Sequence, residues 1–311
     1  LNCMYGFRPN RGCHDAIKEL YKRLNNTKIC YIVDADIKGF FDHMKHEWII
    51  KFLYLYIKDP NIIGLVKKYL KVGVIDGGEL MMNEEGAAQG NIISPILANI
   101  YMHNVLTLWY KFIITKECKG DNFLIVYADD FVAGFQYKWE AENYYKLLKE
   151  RMEKFGLQLE ESKSRLLQSG AYIARAKQKS GESTRLETFD FLGFTFYCGR
   201  SRKGMPYIMP KTSSKKFRQK IRDIKVWLYA NRDQSLKKLM GMLNLKLVGH
   251  YRYYGISFNG RMISNYKQQV RELLFKVLNR RSDRKSYTRE GFIEMLKYYP
   301  LVMPKIYVSL F

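Results

Sequence analysis

Phe123-Leu-Ile-Val-Tyr-Ala-Asp-Asp-Phe-Val-Ala133 decides how this chain is read: two apolar runs, Phe123–Val126 and Phe131–Ala133, flank Tyr127-Ala-Asp-Asp130. Runs of this kind predict two short strands, with Asp129 and Asp130 in the tight turn between them. Carboxylates held on packed strands are costly unless they are paired or bind a cation. Oxygen ligands of this kind suit Mg²⁺ or Mn²⁺. The plain alternative is a solvated turn, since Asp is common in turns.

A second acidic strand end lies upstream. Ile29-Cys-Tyr-Ile-Val33 is rich in strand formers and leads into Asp34-Ala-Asp36. If the two strands are neighbours, their carboxylates meet at one sheet edge and repel each other unless cations lie between them, the arrangement two-metal phosphoryl transfer uses. Asp34 and Asp36 share strand parity, so alternation alone does not choose between them.

Composition sets wider bounds. With 311 residues, 47% hydrophobic and 15% aromatic, the chain can bury a sizeable core as one large or two smaller domains. No apolar run approaches the ~20 residues of a membrane helix and no signal peptide opens the chain, so a soluble, cytoplasmic protein with no membrane partner is expected. The five cysteines are scattered without a C-x-x-C pair, which predicts neither a disulfide framework nor a zinc site. His43 and His46 form an H-x-x-H with no further ligands nearby.

The net charge of +23 is unevenly placed. Residues 1–197 carry 27 basic and 24 acidic side chains, whereas residues 198–311 carry 26 and 6. A basic, aromatic-rich module beside a near-neutral one favours nucleic acid, because Lys and Arg gain by releasing counterions from phosphates. A membrane surface is the competing reading and would need a continuous greasy helix face.

Periodicity predicts helices over 14–24, 47–57, 61–72, 95–114 and 139–155, and a hairpin at Asp76-Gly77-Gly78. It predicts strands at 164–167, 190–197 and 205–209, then four helical blocks near 211–230, 233–249, 261–280 and 288–298. The pattern turns helical where the charge steps up, so the domains are expected at 1–209 and 210–311. Leu1 is not a start methionine and Tyr5-Gly-Phe-Arg-Pro-Asn10 reads as the interior of a domain, so an N-terminal truncation is expected.

Five motifs in order carry a family resemblance: Val33-Asp-Ala-Asp-Ile-Lys-Gly-Phe-Phe-Asp42, Gly86-Ala-Ala-Gln-Gly-Asn-Ile-Ile-Ser-Pro95, Tyr127-Ala-Asp-Asp130, Gly156-Leu-Gln-Leu-Glu-Glu-Ser-Lys163 and Phe191-Leu-Gly-Phe194. The sequence resembles a bacterial group II intron reverse transcriptase/maturase over essentially its whole length. Its opening segment, Tyr5 to Asp15, resembles the stretch before that family's first catalytic aspartate. Gly249-His-Tyr-Arg-Tyr-Tyr-Gly255 and Leu278-Asn-Arg-Arg-Ser-Asp-Arg-Lys-Ser-Tyr287 resemble its thumb and maturase region.

The resemblance implies an α+β right-hand polymerase: a palm of antiparallel strands backed by helices, partial fingers, and an all-helical thumb/maturase domain. It implies an RNA-directed DNA polymerase that adds dNMPs from dNTPs to a DNA primer on an RNA template, with two Mg²⁺ ions (Mn²⁺ a substitute) and intron RNA as a further partner in splicing. It selects Asp36 over Asp34 as ligand with Asp129, sets Asp130 close by, and completes the site with the Ile37 main-chain oxygen. Phe41 is implied under the nucleotide sugar, where its ring would clash with a 2′-hydroxyl; a core phenylalanine is the alternative. Gln89 is implied at the nascent base pair and Lys163 over the triphosphate. Phe191, Leu192 and Gly193 are implied as the primer grip, where glycine permits close approach of the primer backbone.

In the basic tail, Lys211, Lys215, Lys216, Arg218 and Arg222 alternate with Phe217 and Ile221 at helical spacing, so one face can pack while the other tracks phosphates. Arg252 with Tyr251, Tyr253 and Tyr254 could stack on bases or ribose, and Arg280 and Arg281 add charge. A helix-packing cluster is the alternative for the tyrosines.

The chain departs from the family in having Ala88 where proline usually precedes the glutamine, which loosens that loop. The first finger strands are also expected to be missing, which would weaken nucleotide binding, with Arg8 and Arg11 expected to supply some positive charge. No H-N-H endonuclease pattern is present in these residues, so DNA nicking is not expected of them. The rival readings are a non-catalytic intron RNA-binding splicing cofactor and a host-defence or retron-type reverse transcriptase.

Overall fold

The computed structural model describes residues 1–71, 74–76, 79–81, 85–86, 92–281 and 286–311. The chain divides into two compact units, residues 1–192 with 198–208, and residues 193–197 with 209–311.

The first unit begins with α1 (Cys13–Asn26), whose buried Ala16, Ile17, Leu20, Tyr21 and Leu24 form a helical stripe. Asp15 accepts from the Gly12 amide at 2.8 Å and closes the first turn. β1 (Tyr31–Ala35), α2 (Phe40–His43), α3 (His46–Tyr54) and α4 (Pro60–Lys71) follow, then the hairpin β2 (Val74–Asp76) and β3 (Glu79–Met81).

Ser94–Met102 forms α5, with Pro95 in its first turn. The single α-helix expected over 95–114 is not found; the helical path turns π-helical at His103–Thr107 and Tyr110–Ile114 before a last turn, α6 (Thr115–Glu117). The cause is local to the carbonyls. Arg151 donates to the carbonyls of Asn104 (3.2 Å) and Val105 (3.0 Å), and Thr107 Oγ1 donates to His103 O (3.1 Å), drawing acceptors out of the regular ladder.

β4 (Asn122–Tyr127), β5 (Asp130–Phe135), α7 (Lys138–Lys154) and β6 (Arg165–Gln168) complete a four-stranded sheet in the order β4-β5-β1-β6. The pairings of β1 with β5 and β6, and of β4 with β5, are antiparallel. One face of this sheet, presenting Val33, Ala35, Leu124, Val126, Phe131, Ala133 and Phe135, is buried in a core shared with α3, α4, α5 and α7. The unit is an α+β palm in architecture.

α8 (Ala171–Lys179), which the sequence reading missed, leads to β7 (Phe189–Phe191). The run 190–197, expected as one strand, is broken: Leu192 (φ +48°) and Gly193 (φ +79°) turn the chain between β7 and β8 (Phe194–Arg200). Both residues lie in the left-handed region, which only a tight turn of this kind requires. β9 (Pro206–Thr212) follows, and the sheet order is β7-β8-β9.

The second unit is dominated by α9 (Ser214–Ala230), α10 (Leu236–Tyr254), α11 (Gly260–Leu278) and α12 (Arg289–Tyr298). Ser213 caps α9 by accepting from Lys216 N, and Thr288 caps α12 by accepting from Gly291 N. The buried Asn259 accepts from Thr212 N at 2.9 Å and donates to Thr212 Oγ1 and Tyr254 O, both at 2.8 Å, so its buried amide is fully used. Among the described residues no helix is long and apolar enough to cross a membrane.

Candidate active site

Tyr127 pairs with Asp130, leaving Ala128 and Asp129 as a two-residue hairpin loop at the end of β4 and β5. Ala128 has φ +57°, a left-handed conformation that costs a non-glycine residue about 1 kcal/mol. Asp129 therefore sits at the tip of a strained turn, and Asp130 is the first residue of β5.

On β1, Ala35 faces Phe131 and Asp34 faces Val132 on one side and Arg165 on the other. Val33, Ala35 and Ile37 all enter the core. By strand alternation Asp34 and Asp36 point to the opposite face, together with Asp130. The acids thus share the sheet face turned away from the helical core.

The main chain of Asp36 is held by the segment 158–164. Its amide donates to Ser164 Oγ at 3.3 Å, its carbonyl accepts from Glu160 N at 2.8 Å, and, two residues on, Lys38 N donates to Gln158 O at 2.9 Å. Ile37 bridges Leu159 and is buried. Its side chain thus anchors the end of β1.

The carboxylates differ in their surroundings. Asp36 accepts from Lys163 Nζ at 2.9 Å. Burial raises Asp129 above the ordinary carboxylate range, its own amide works against that, and the charge of Asp36 raises it further. Burial pushes Asp34 up to about 6 despite Arg165, whose Nε lies 3.6 Å from Asp34 Oδ2; Asp190 and Asp130 add to the rise. Asp190, Arg165 and Ser164 are site neighbours that the sequence reading did not select. The β1–β6 register brings Arg165 here, Ser164 directly precedes β6, and Asp190 comes from β7 of the other sheet.

These donors fit a divalent cation. They are hard oxygens that repel one another, although among the described residues no three His, Cys, Asp or Glu side chains are grouped so that they could hold a metal ion by themselves. Mg²⁺ is usually bound by one or two carboxylates with water and substrate phosphates, so an open donor set suits it.

Phe41 is half-buried and stands edge-on to Phe40 at 5.3 Å between ring centroids. Gln89 lies outside the described residues. Its neighbour Gly86 does not: with φ +89°, a Cβ there would lie 3.0 Å from Asp42 O, and Gly86 N donates to Met44 O at 2.8 Å. The start of the Gly86–Pro95 motif is thereby seated against the residues that follow Phe41. His46 Nε2 contacts Gly86 O at 2.7 Å and His43 lies 3.9 Å from Glu85, so both histidines of the H-x-x-H have local partners.

Arg8 and Arg11 are both tied to the N-terminal main chain. Arg8 donates to the carbonyls of Leu1 (2.5 Å) and Met4 (3.4 Å), and Arg11 to those of Asn2 (2.6 Å) and Met4 (3.2 Å), so both brace the N-terminal segment.

In the second unit, Gly193 O accepts from Ser213 N at 3.0 Å, and Phe194 is fully buried against Tyr253 and Tyr254. Tyr251 and Tyr254 are core residues, which withdraws them from any base-stacking surface; Tyr253 is 36% exposed. In the first unit, Phe191 is buried and Leu192 half-exposed.

Lys215, Lys216, Arg218 and Arg222 are exposed along α9, and Arg252 is exposed on α10. Lys211 lies over the Tyr197 ring at 4.9 Å. Arg280 donates to Tyr229 Oη at 2.6 Å, and Arg281 to Gln234 O at 3.1 Å. Arg281 is only half-exposed and braces the turn before α10 rather than standing out from the surface.

A family model described as reverse transcriptase (RNA-dependent DNA polymerase) matches residues 2–196. The chain belongs to the reverse transcriptase family. A second model, the group II intron maturase-specific domain, matches residues 214–293, so this reverse transcriptase is of the group II intron maturase type. It is similar to the group II intron-encoded protein LtrA of Lactococcus lactis subsp. cremoris, 37% identical over 117 residues, covering 38% of this chain and 18% of that protein. It is also similar to protein YkfC of Escherichia coli (strain K12), 34% identical over 102 residues, covering 32% of this chain and 27% of that protein. The chain thus matches only a minor part of the length of either relative. Among solved structures, apo telomerase from Candida tropicalis aligns with a TM-score of 0.50 and 13% identity over 95% of this chain and 53% of that one, a likeness of fold alone.

Proposed function

We propose that this reverse transcriptase extends a DNA primer on an RNA template, joining the primer 3′-hydroxyl to the α-phosphate of a dNTP with release of pyrophosphate. The observation that carries this reading is electrostatic: Asp129, at the tip of the hairpin, is near enough to Asp36 for the charge of Asp36 to raise it, while Asp36 sits on a main chain braced by the segment 158–164. Asp36, the Ile37 carbonyl, Asp129 and Asp130 would hold two Mg²⁺ ions. When bound, the ions (Mn²⁺ as substitute) supply the charge that activates the hydroxyl and neutralises the leaving pyrophosphate.

The chain's own residues do the rest. Asp36 and Asp129 orient the reacting oxygens between them and, being mutually repulsive, favour the loaded site. Phe41 sets the shape of the sugar pocket and rejects a 2′-hydroxyl by contact. Lys163, a cation beside Asp36, is placed to meet phosphate charge. Gln89 keeps its implied place at the nascent base pair. Phe191, Leu192 and Gly193 present the turn that grips the primer backbone, and Lys211, Lys215, Lys216, Arg218, Arg222, Arg252 and Arg280 supply the phosphate contacts of the thumb.

The maturase-specific domain supports intron RNA as a second partner, bound through the basic helices in aid of splicing. Primer extension on poly(rA)/oligo(dT), comparing the wild type with Asp129→Ala, tests the polymerase reading. Extension by the wild type and its loss in the variant are expected. Equal, background-level extension by both, with RNA binding intact, would leave a non-catalytic splicing cofactor.

A further inference from the structure

The backbone beneath the catalytic hairpin is not part of the hairpin. The segment after Leu1 runs parallel to β4: Val126 N donates to Cys3 O at 2.8 Å and Tyr5 N to Val126 O at 2.9 Å. Gly6 then passes directly under the turn. A Cβ at this position would lie 2.6 Å from Ala128 N and 3.1 Å from Tyr127 C, both main-chain atoms that cannot swing aside. The Gly6 carbonyl accepts from Asn99 Nδ2 at 2.8 Å.

Asn99 is firmly mounted. It lies on α5, whose Leu97, Ala98, Tyr101 and Met102 are buried in the main core. Its Oδ1 is buried with no hydrogen-bond partner among the described residues, so the bond to Gly6 is what orients the amide. The result is a continuous line of contact from α5 through Asn99 and Gly6 to Ala128, the residue whose left-handed φ aims Asp129.

We infer that Asn99 is a positioning residue for Asp129: it holds the Gly6 main chain as a plate under Ala128 and so fixes the height at which the Asp129 carboxylate is presented to a divalent cation. The inference rests on the polymerase reading for its purpose but not for its geometry. Asn99 touches neither substrate nor metal. A strained turn relaxes when its support is removed, and a small displacement of one carboxylate is enough to weaken a site held by so few protein ligands.

The test measures Mn²⁺ affinity of the protein alone by electron paramagnetic resonance, alongside single-turnover nucleotide addition on a pre-bound RNA–DNA primer–template. Asn99→Ala and Asn99→Asp, which remove the donor, and Gly6→Ala, which pushes on the turn, are each expected to weaken Mn²⁺ about 3- to 30-fold. They should slow addition about 10- to 100-fold, with the dNTP KM and primer–template Kd within about twofold of wild type. Asn99→His, which can present a ring N–H near the same position, is expected to recover part of the Mn²⁺ affinity. Wild-type Mn²⁺ affinity in Asn99→Ala overturns the inference, as does failure of the wild type to bind Mn²⁺. Losses that follow a fall in melting temperature or in primer–template affinity overturn it as well. If the wild type binds Mn²⁺ and Asn99→Ala weakens it, yet no variant or wild type extends a primer, the positioning stands and the polymerase reading fails.

Discussion

Lys163 Nζ lies 2.9 Å from Asp36 Oδ2, and the two belong to motifs 127 residues apart in sequence. The contact is open to solvent, with the side chains 62% and 37% exposed, and Asp36 raises Lys163 further above its ordinary value, keeping it a cation at every working pH. An exposed pair of this kind adds little to folding. Lys163→Ala is therefore expected to leave the melting temperature within about 1 °C while slowing single-turnover nucleotide addition about 10- to 100-fold, less than the ~10²- to 10³-fold for losing a donor in a water-excluded site. Lys163→Arg should keep a substantial part of the rate. A fall in melting temperature with no change in rate would make the lysine a structural partner only.

Asp34 bears on stability instead. Its carboxyl is held up at about 6 against an ordinary 3.8, so the fold favours the protonated form. That contribution is fully present below pH 3.8 and is lost as pH rises through 6. At pH 7 the ionised Asp34 thus burdens the palm by up to about 3 kcal/mol, a ceiling given by the shift. Asp34→Asn, measured by denaturant unfolding in EDTA, is expected to gain about 1–2 kcal/mol at pH 7 and nothing near pH 4. A variant less stable than wild type at pH 7 would mean that the Arg165 contact outweighs desolvation.

The contrast between Asp34 and Asp36 shows where sequence stops being legible. The apolar runs around Tyr127–Asp130 state the hairpin outright, because alternation and turn chemistry are local. Parity could not separate the two aspartates, because the difference between them lies in Arg165 and in Lys163, partners brought by β6 and by the segment before it. The broken strand at Leu192–Gly193 was hidden for a related reason: Phe-Leu-Gly-Phe reads as a continuous apolar run, and only the backbone shows a leucine tolerating a positive φ. The π-helical turns after Met102 depend on Arg151, about 45 residues downstream, and α8 on a packing face that its own composition does not announce. The elements were readable where the cause was near in sequence and unreadable where it was far.

His250 gives the second unit its own pH response. It stacks on Tyr266 at 3.6 Å with the rings 9° apart, and burial, helped by Lys220, holds it down to about 3. A histidine kept neutral by the fold contributes stability above the unfolded value of 6.5, and that contribution is lost as pH falls from 6.5 toward 3. The slope is about 1.4 kcal/mol per pH unit in that window. In His250→Phe, which keeps the stack and removes the titration, unfolding followed by Trp227 fluorescence should lose less stability between pH 6.5 and 5 than wild type, by about 2 kcal/mol. Parallel curves for the two proteins would rule out His250 as the source.

Under the proposed function the basic helices separate into residues free to meet phosphate and residues that hold the fold, and salt tells them apart. Lys215, Lys216 and Arg222 are exposed on α9, so each change to Gln should weaken RNA binding for all sequences alike. Each should also lower the slope of log affinity against log salt by about 1. Arg281 carries the same charge but donates to the Gln234 carbonyl, and its Nε is buried without a partner among the described residues. Arg281→Gln should therefore destabilise the second unit by about 1–3 kcal/mol through the lost bond, while changing the salt slope little. Filter-binding titrations between 50 and about 300 mM KCl, paired with denaturant unfolding, distinguish the two behaviours. If Arg281→Gln lowers the slope as much as Lys215→Gln and leaves stability alone, the guanidinium leaves Gln234 to meet RNA, and the brace seen here is displaced on binding.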